Sequence, residues 1–187
     1  MQQVLTQSQW AEIIDTYYAD IFRFCCHFLG DGTQAQDATQ DVFLKLYLAL
    51  NAGSNLPEMR AWLYRVARNA CIDRKRWWKR YFQVFSGKEL PERAAATRAD
   101  QSLLTRSLRA LIDSLPRRQK EVFILRHWHE CSTEETAQIL GIDAGSVKSH
   151  LNRAIASLRE RLRDLEPGLI EPTEETRQPK QSEPRSL

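Results

Sequence analysis

STEETAQILGIDAGSVKSHLNRAIASLRERL, residues 132–162, reads as a helix, a three-residue turn and a second helix. Ser132 with Glu135 three residues on has the S-x-x-E form of a capping box, so a helix starts there. Gly141 ends it, Ile142 plugs the turn, and Asp143 caps the next helix with its side-chain oxygen. Ala137, Leu140, Ile142, Val147 and Leu151 are spaced to bury against one another. That leaves Ser146, Lys148, Ser149, Asn152 and Arg153 facing outward, a set suited to phosphates and base edges. An ordinary helical hairpin with a solvated charged face is the plainer alternative. A glycine turn joined to a basic second helix favours DNA binding over it.

Outward from this stretch, glycines and prolines punctuate helical periodicity, and strand signals are few. Trp10–Leu29 carries apolar residues at helical spacing, and GDGT at 30–33 breaks it. Ala35–Leu50 buries Ala38, Val42, Phe43, Leu46 and Leu50, NAGSNLP at 51–57 is a loop, and Met59–Tyr81 is a long basic helix. Residues 83–100 lose the stripe and read as a linker. Helices resume at Gln101–Ser114 and, after Pro116, at Arg117–His129. The end of the chain, 166–187, is rich in Pro, Glu and polar residues and has too little apolar surface to fold alone. The fold class is therefore all-α: two small helical domains, 8–82 and 101–165, joined by a flexible linker, with a disordered tail.

Charge is unevenly spread along the 187 residues, although the net value is only +3. Residues 1–58 hold two Lys/Arg and seven Asp/Glu, whereas 59–80 hold eight Lys/Arg and one acid, Asp73. A mildly acidic lobe beside a dense basic helix suits a protein partner on one side and nucleic acid on the other. Cys25, Cys26, Cys71 and Cys131 show no C-x-x-C spacing and read as small buried residues of a reducing compartment. In HWHEC, 127–131, only His127 and Cys131 share a helical face, so no metal or other cofactor is expected. No secretory segment or apolar run of 18 residues occurs, so a cytoplasmic protein without direct membrane insertion is expected.

The basic helix is also aromatic. Arg60, Arg65, Arg68, Arg74, Lys75, Arg76, Lys79 and Arg80 are interleaved with Trp62, Tyr64, Trp77, Trp78 and Tyr81. Cations track a phosphate backbone, and exposed rings stack on unpaired bases at about 1–3 kcal/mol per base. Such a surface suits single strands better than closed duplex. The bland alternative keeps Trp62 and Tyr64 in the core and the arginines merely solvated.

Three segments together resemble a known family. DATQDVFLKLYLAL at 37–50, WLYRVARNACIDRKR at 62–76 and LPRRQKEVFILRHWHECSTEETAQILGIDAGSVKSHLNRAIASLRERL at 115–162 resemble the bacterial RNA polymerase sigma factors. The resemblance is to the compact extracytoplasmic-function (ECF) class, which keeps only regions 2 and 4. It implies that 8–82 is a region 2 domain and 101–165 a region 4 helix-turn-helix domain. It also implies binding to core RNA polymerase, at the clamp of the largest subunit and at the flap, and to promoter DNA. Asp37, Gln40, Asp41 and Lys45 are then the docking candidates, with Val42 and Phe43 packing inward. Asn69, Arg65, Arg68, Trp62 and Arg76, with the loop 51–58, become the candidates for reading the melted −10 element. An i, i+3 pair of Asp73 and Arg76 is the structural alternative for the last of these. Ser146, Lys148, Ser149, Asn152 and Arg153 would read the −35 duplex, with Asn152 able to pair with adenine. An anti-sigma factor is a further implied partner, and the two lobes are expected to expose their binding faces when free.

The reach is sufficient. A linker of about 18 residues, extended at roughly 3.3 Å each, spans about 60 Å. Two DNA elements about one and a half turns apart are separated by roughly 50 Å. No G-x-x-x-x-G-K-[ST] motif and no paired catalytic constellation occurs, so an enzyme is not expected. The remaining alternative is a LuxR-like helix-turn-helix regulator that binds duplex by itself, and the basic-aromatic helix at 59–81 argues against it.

Overall fold

The structure, a computed structural model, describes residues 6–85 and 103–165. These residues form seven α-helices and one π turn, with no strand among them. Helix α1 spans Gln7–Leu29, α2 Gly32–Asn51 and α3 Met59–Phe85. These three pack into the first lobe. The second contains α4 (Leu103–Asp113), α5 (Arg117–Phe123), the π turn Ile124–Trp128, α6 (Thr133–Leu140) and α7 (Ala144–Leu165). Of the expected linker, 83–85 belong to α3, and the rest lies outside the described residues, as does the tail 166–187.

Local chemistry sets the helix ends. Thr6 and Gln9 form a reciprocal capping box, so α1 starts three residues before the expected Trp10. Asp31 caps α2 by accepting from the Gln34 N–H at 2.8 Å. Gly30 stops α1 in the left-handed region (φ +82°). The guanidinium of Arg109 lies against it and donates to the carbonyls of Cys26 and His27 at 3.0 and 3.3 Å. An α4 side chain thus reaches the end of α1, bonding the His27 carbonyl and adding a second donor to the Cys26 carbonyl, which already accepts the Gly30 N–H.

The first lobe closes around Ile21, Phe24, Cys25, Val42, Leu46, Leu63, Tyr64 and Cys71, each at most 1% exposed. Phe24 meets the Tyr64 ring edge-on at 5.3 Å. In the second lobe Ile112, Leu115, Ala154 and Leu158 form a small core against Phe123 and Trp128. The apolar contact does not stop at the lobe boundary. Val122, Ile124, Leu125, Cys131, Ile139, Leu140 and Val147 are continuous with the core of the first lobe. The expected pair of lobes is present, but they are packed on each other through α3 and α6.

The helix-turn-helix forms as its caps dictate. Ser132 accepts from the Glu135 N–H at 3.0 Å, and Glu135 accepts from the Ser132 N–H at 2.7 Å. Gly141 takes φ +64°, and nothing lies within 4 Å of an added Cβ. A substitution there is opposed by backbone strain alone, about 1–2 kcal/mol for most L-residues and less for Asn. Thermal melts should therefore rank wild type above Gly141→Asn, and Gly141→Asn above Gly141→Ala. Equal melting of the two variants would remove strain as the cause.

Candidate nucleic-acid interface

The second lobe presents an open face. On α7, Val147 and Ala154 are fully buried, Leu158 is nearly so and Leu151 is half-buried against the core. The same helical phase leaves Lys148, Ser149, Asn152 and Arg153 exposed. Ser146 is half-buried at the first turn, where its N–H and hydroxyl both donate to Asp143, at 2.8 and 2.5 Å. Those two bonds, led by the hydroxyl, hold the Asp143 carboxyl below its usual range. Two cations, an amide and a hydroxyl therefore stand on one ridge, which a capped turn holds in place. The ridge matches what a major groove requires.

In the first lobe, α2 turns Asp37, Gln40 and Lys45 outward while Val42 and Phe43 are buried. Asp41 is half-exposed and accepts from Arg74 at 2.7 Å, which ties α2 to α3. Beside these polar groups lie Leu44, Tyr47 and Leu48, exposed by 58%, 43% and 58%. Sequence reasoning missed this apolar strip. Its signal was present in DVFLKLYLAL, which is apolar nearly all round instead of on one stripe.

Helix α3 divides into two halves. Toward its C-terminus, Arg76 is exposed, with Asp73 4.0 Å away in a solvated i, i+3 contact. Trp77 and Tyr81 are also exposed and stack on each other at 5.2 Å and 16°. Toward its N-terminus the second lobe lies on the helix. Tyr64 is core, as the blander reading had it, and Trp62 is half-buried. Arg60 donates to Glu135 at 2.6 Å and to the His129 carbonyl at 2.9 Å. Arg65 donates to the Gln138 carbonyl at 3.0 Å. Arg68 is 9% exposed and pairs with Glu121 at 3.1 Å.

The candidates for the −10 strand are therefore not equally available. Asn69, Arg65 and Arg76 are exposed, although Arg65 also donates to the Gln138 carbonyl of α6, and Arg68 is buried against Glu121 of α5. Free lobes are expected to expose their faces, and the α2 and α7 faces are exposed; the departure is confined to the N-terminal half of α3, where the second lobe lies. The physical reason is local: α5 and α6 bring Glu121, Glu135 and the His129 and Gln138 carbonyls against the arginines of α3. Arg68 is only partly satisfied by the arrangement. Its Nη1 and Nη2 have partners in Asn69 and Glu121, and its buried Nε has none among the described residues. Ser132's backbone N–H, seconded by Arg60, holds the Glu135 carboxyl below its usual range.

HWHEC does not assemble as a ligand set. His127 is exposed, His129 is buried at 7% exposure and Cys131 is fully buried. The π turn and the left-handed Glu130 (φ +50°) separate their directions. His129 instead sits at the junction, with Nδ1 3.2 Å from the Tyr64 hydroxyl and Nε2 3.2 Å from His27 Nδ1.

Comparison with known proteins accounts for both lobes. The family profile described as Sigma-70 region 2 matches residues 13–80, and that described as Sigma-70 region 4 matches 105–158. The chain is 30% identical over 175 residues to the ECF RNA polymerase sigma factor SigW of Bacillus subtilis, covering 85% of this chain and 91% of that one. It is 35% identical over 176 residues to the RNA polymerase sigma-E factor of Streptomyces coelicolor, covering 90% and 96%. Among solved structures it resembles the sigma factor RpoE of Bartonella quintana in complex with the anti-sigma factor NepR, with a TM-score of 0.67 and 26% identity over 82% of this chain and 96% of that one. CnrH, solved with the cytosolic domain of CnrY, shares the fold at a TM-score of 0.66 and 23% identity, covering 86% and 91%. With region 2 and region 4 both present, in order, the chain belongs to the sigma-70 family of RNA polymerase sigma factors, in its ECF class.

Proposed function

We propose that this sigma factor divides promoter recognition between its lobes. The α2 face at Asp37, Gln40, Asp41 and Lys45, extended by Leu44 and Leu48, docks on core polymerase. Helix α3, with Asn69 and the loop 51–58, captures the melted −10 strand. Helix α7 reads the −35 duplex through Lys148, Ser149, Asn152 and Arg153. The observation that carries this reading is the phase of α7, whose cations and amides are exposed while Val147, Ala154 and Leu158 are buried. Strand capture offsets an unpairing cost of a few kcal/mol per flipped base. The protein needs no chemistry of its own and is not an enzyme. It acts in the cytoplasm, where polymerase and promoter are. The RpoE–NepR neighbour supports an anti-sigma factor as a further partner, one that competes with core polymerase by mass action.

The test is run-off transcription with purified core enzyme on candidate promoters. Initiation should require both proteins and fail with either alone. Specific duplex binding and regulation without core polymerase dependence would favour the LuxR-like alternative. In the holoenzyme, Lys148→Ala and Arg153→Ala should weaken −35 binding. A lost phosphate contact lowers the salt slope by about one, and a lost base contact costs about 1–3 kcal/mol. Unchanged affinity and slope in both variants would assign duplex reading to another surface.

A further inference from the structure

Two histidines from different lobes meet where the lobes join. His27 comes from the last turn of α1, and His129 follows the π turn, 102 residues later. Their rings approach with Nδ1 of His27 3.2 Å from Nε2 of His129. The other nitrogen of His129 is 3.2 Å from the hydroxyl of Tyr64, which is 1% exposed. The rings are further fixed by Phe24, edge-on to His129 at 5.4 Å, and Trp128, 4.2 Å from His27. A cavity of about 510 Å³ opens beside the pair, so protons have a route to it.

We propose that the His27–His129 contact is an acid-sensitive latch between the lobes, closed when both rings are neutral and released when both are protonated. It deepens, and rests on, the reading of α3 as the strand-capturing helix. The latch holds Arg60, Arg65 and Arg68 against the second lobe and so governs when they face DNA.

Hydrogen-bond counting supports release. With both rings neutral, one N–H lies between the imidazoles, and the chain Tyr64–His129–His27 is satisfied in either direction. One added proton leaves the hydrogen bonds intact, but burial and the nearby arginines oppose the charge. His27 then donates from Nδ1 to His129 Nε2, and His129 donates from Nδ1 to the Tyr64 oxygen. A second proton leaves two N–H groups facing each other across 3.2 Å with no acceptor between them.

The surrounding charge acts in the same direction. On α1, Asp20 is tied to Arg23 by an ion pair. On α3, Arg60 is tied to Glu135. From α4, Arg109 reaches the carbonyl of His27 itself. Glu130 and Asp20 are the carboxylates that line the cavity, against the cations Arg23 and Arg60. Burial first, then Arg109 and Arg23, lowers His27 to about 4. Burial first, then the neighbouring His27, lowers His129 to about 4, with Asp20 opposing and Arg23 and Arg60 adding.

The sign follows from proton linkage. Both rings have depressed pKa values in the closed state and an ordinary value near 6.5 when opened to water. Between those values the open state binds more protons, so closure weakens as pH falls from 6.5 toward 4. Each ring favours opening by about tenfold per pH unit in that window, so the pair gives about a hundredfold shift between pH 7.5 and 5.5.

Small-angle scattering on the full chain, with circular dichroism in parallel, tests this without polymerase or DNA, so its failure is distinct from a failure of run-off transcription. The radius of gyration should rise between pH 7.5 and 5.5 while helicity is unchanged. His27→Gln/His129→Gln should abolish the rise, and His127→Gln, on the exposed neighbour, should preserve it. Histidine ring NMR on the wild type covers the case in which the double variant no longer closes. Two imidazoles should titrate below the ordinary 6.5, and together with the rise in radius. A chain that stays compact at pH 5.5, that loses helicity over the same range, whose double variant opens with acid like wild type, or whose histidines all titrate near 6.5, overturns the proposal.

Discussion

Replacing Glu121 with alanine is expected to separate the two lobes. The Glu121 side chain is 1% exposed and faces Arg68 at 3.1 Å, Arg118 at 3.2 Å and Arg117 at 3.3 Å. Arg117 and Arg118 are part-exposed and can turn to water, but Arg68 is buried at the junction. Removing one partner of a buried pair costs about 3–5 kcal/mol if the other charge remains buried. Arg68 escapes that cost if the lobes part. The penalty therefore appears as an opening equilibrium shifted by about a hundredfold or more, at 1.4 kcal/mol per tenfold, and not as global unfolding. Scattering should show an expanded chain with native helicity. Adding Arg68→Ala should restore part of the compactness, because no orphan charge is then left to bury. A Glu121→Ala chain as compact as wild type would show that the pair contributes nothing to closure.

Phe24→Ala should have the largest effect on folding itself. Phe24 is 1% exposed and contacts Phe28, Tyr64 and His129 at ring distances of 5.7, 5.3 and 5.4 Å. Its loss removes a buried ring and leaves a cavity, at about 3–5 kcal/mol. For a lobe of this size each kcal/mol is worth roughly 4–8 °C, so the melting transition of the first lobe should fall by more than about 10 °C. Phe24→Leu, which fills most of the space, should recover much of that loss. A shift of only a few degrees for the alanine variant, read by calorimetry, would show that the core collapses around the gap.

What was legible in the chain was local. The Ser132–Glu135 box, the Gly141 stop and the Asp143 cap are set by residues three to nine apart and formed as read. The same logic applied to Thr6 and Gln9 would have placed the start of α1 correctly. The helix expected over 117–129 loosens into a π turn at Ile124, and the apolar spacing there suits either geometry. The junction was not legible, because Arg68 meets Glu121 across 53 residues and His27 meets His129 across 102. One local clue existed. Glu121 is a lone carboxylate following Arg117, Arg118 and Lys120, and a glutamate is almost never fully buried unless paired.

The π turn at Ile124–Trp128 is also a phase shifter. A π turn behaves as an α-helix with one residue inserted. Deleting a single residue there would restore α-helical register, rotate everything downstream by about 100° and draw it in by about 1.5 Å. The helix-turn-helix would survive the change, because its caps and turn lie entirely within 132–146. His129, Glu135 and Gln138 would lose their alignment with Tyr64, Arg60 and Arg65. Chain length at this one turn therefore sets whether the lobes can close, independently of the residues that read DNA, and length variants at this turn provide a means of altering closure without touching promoter choice.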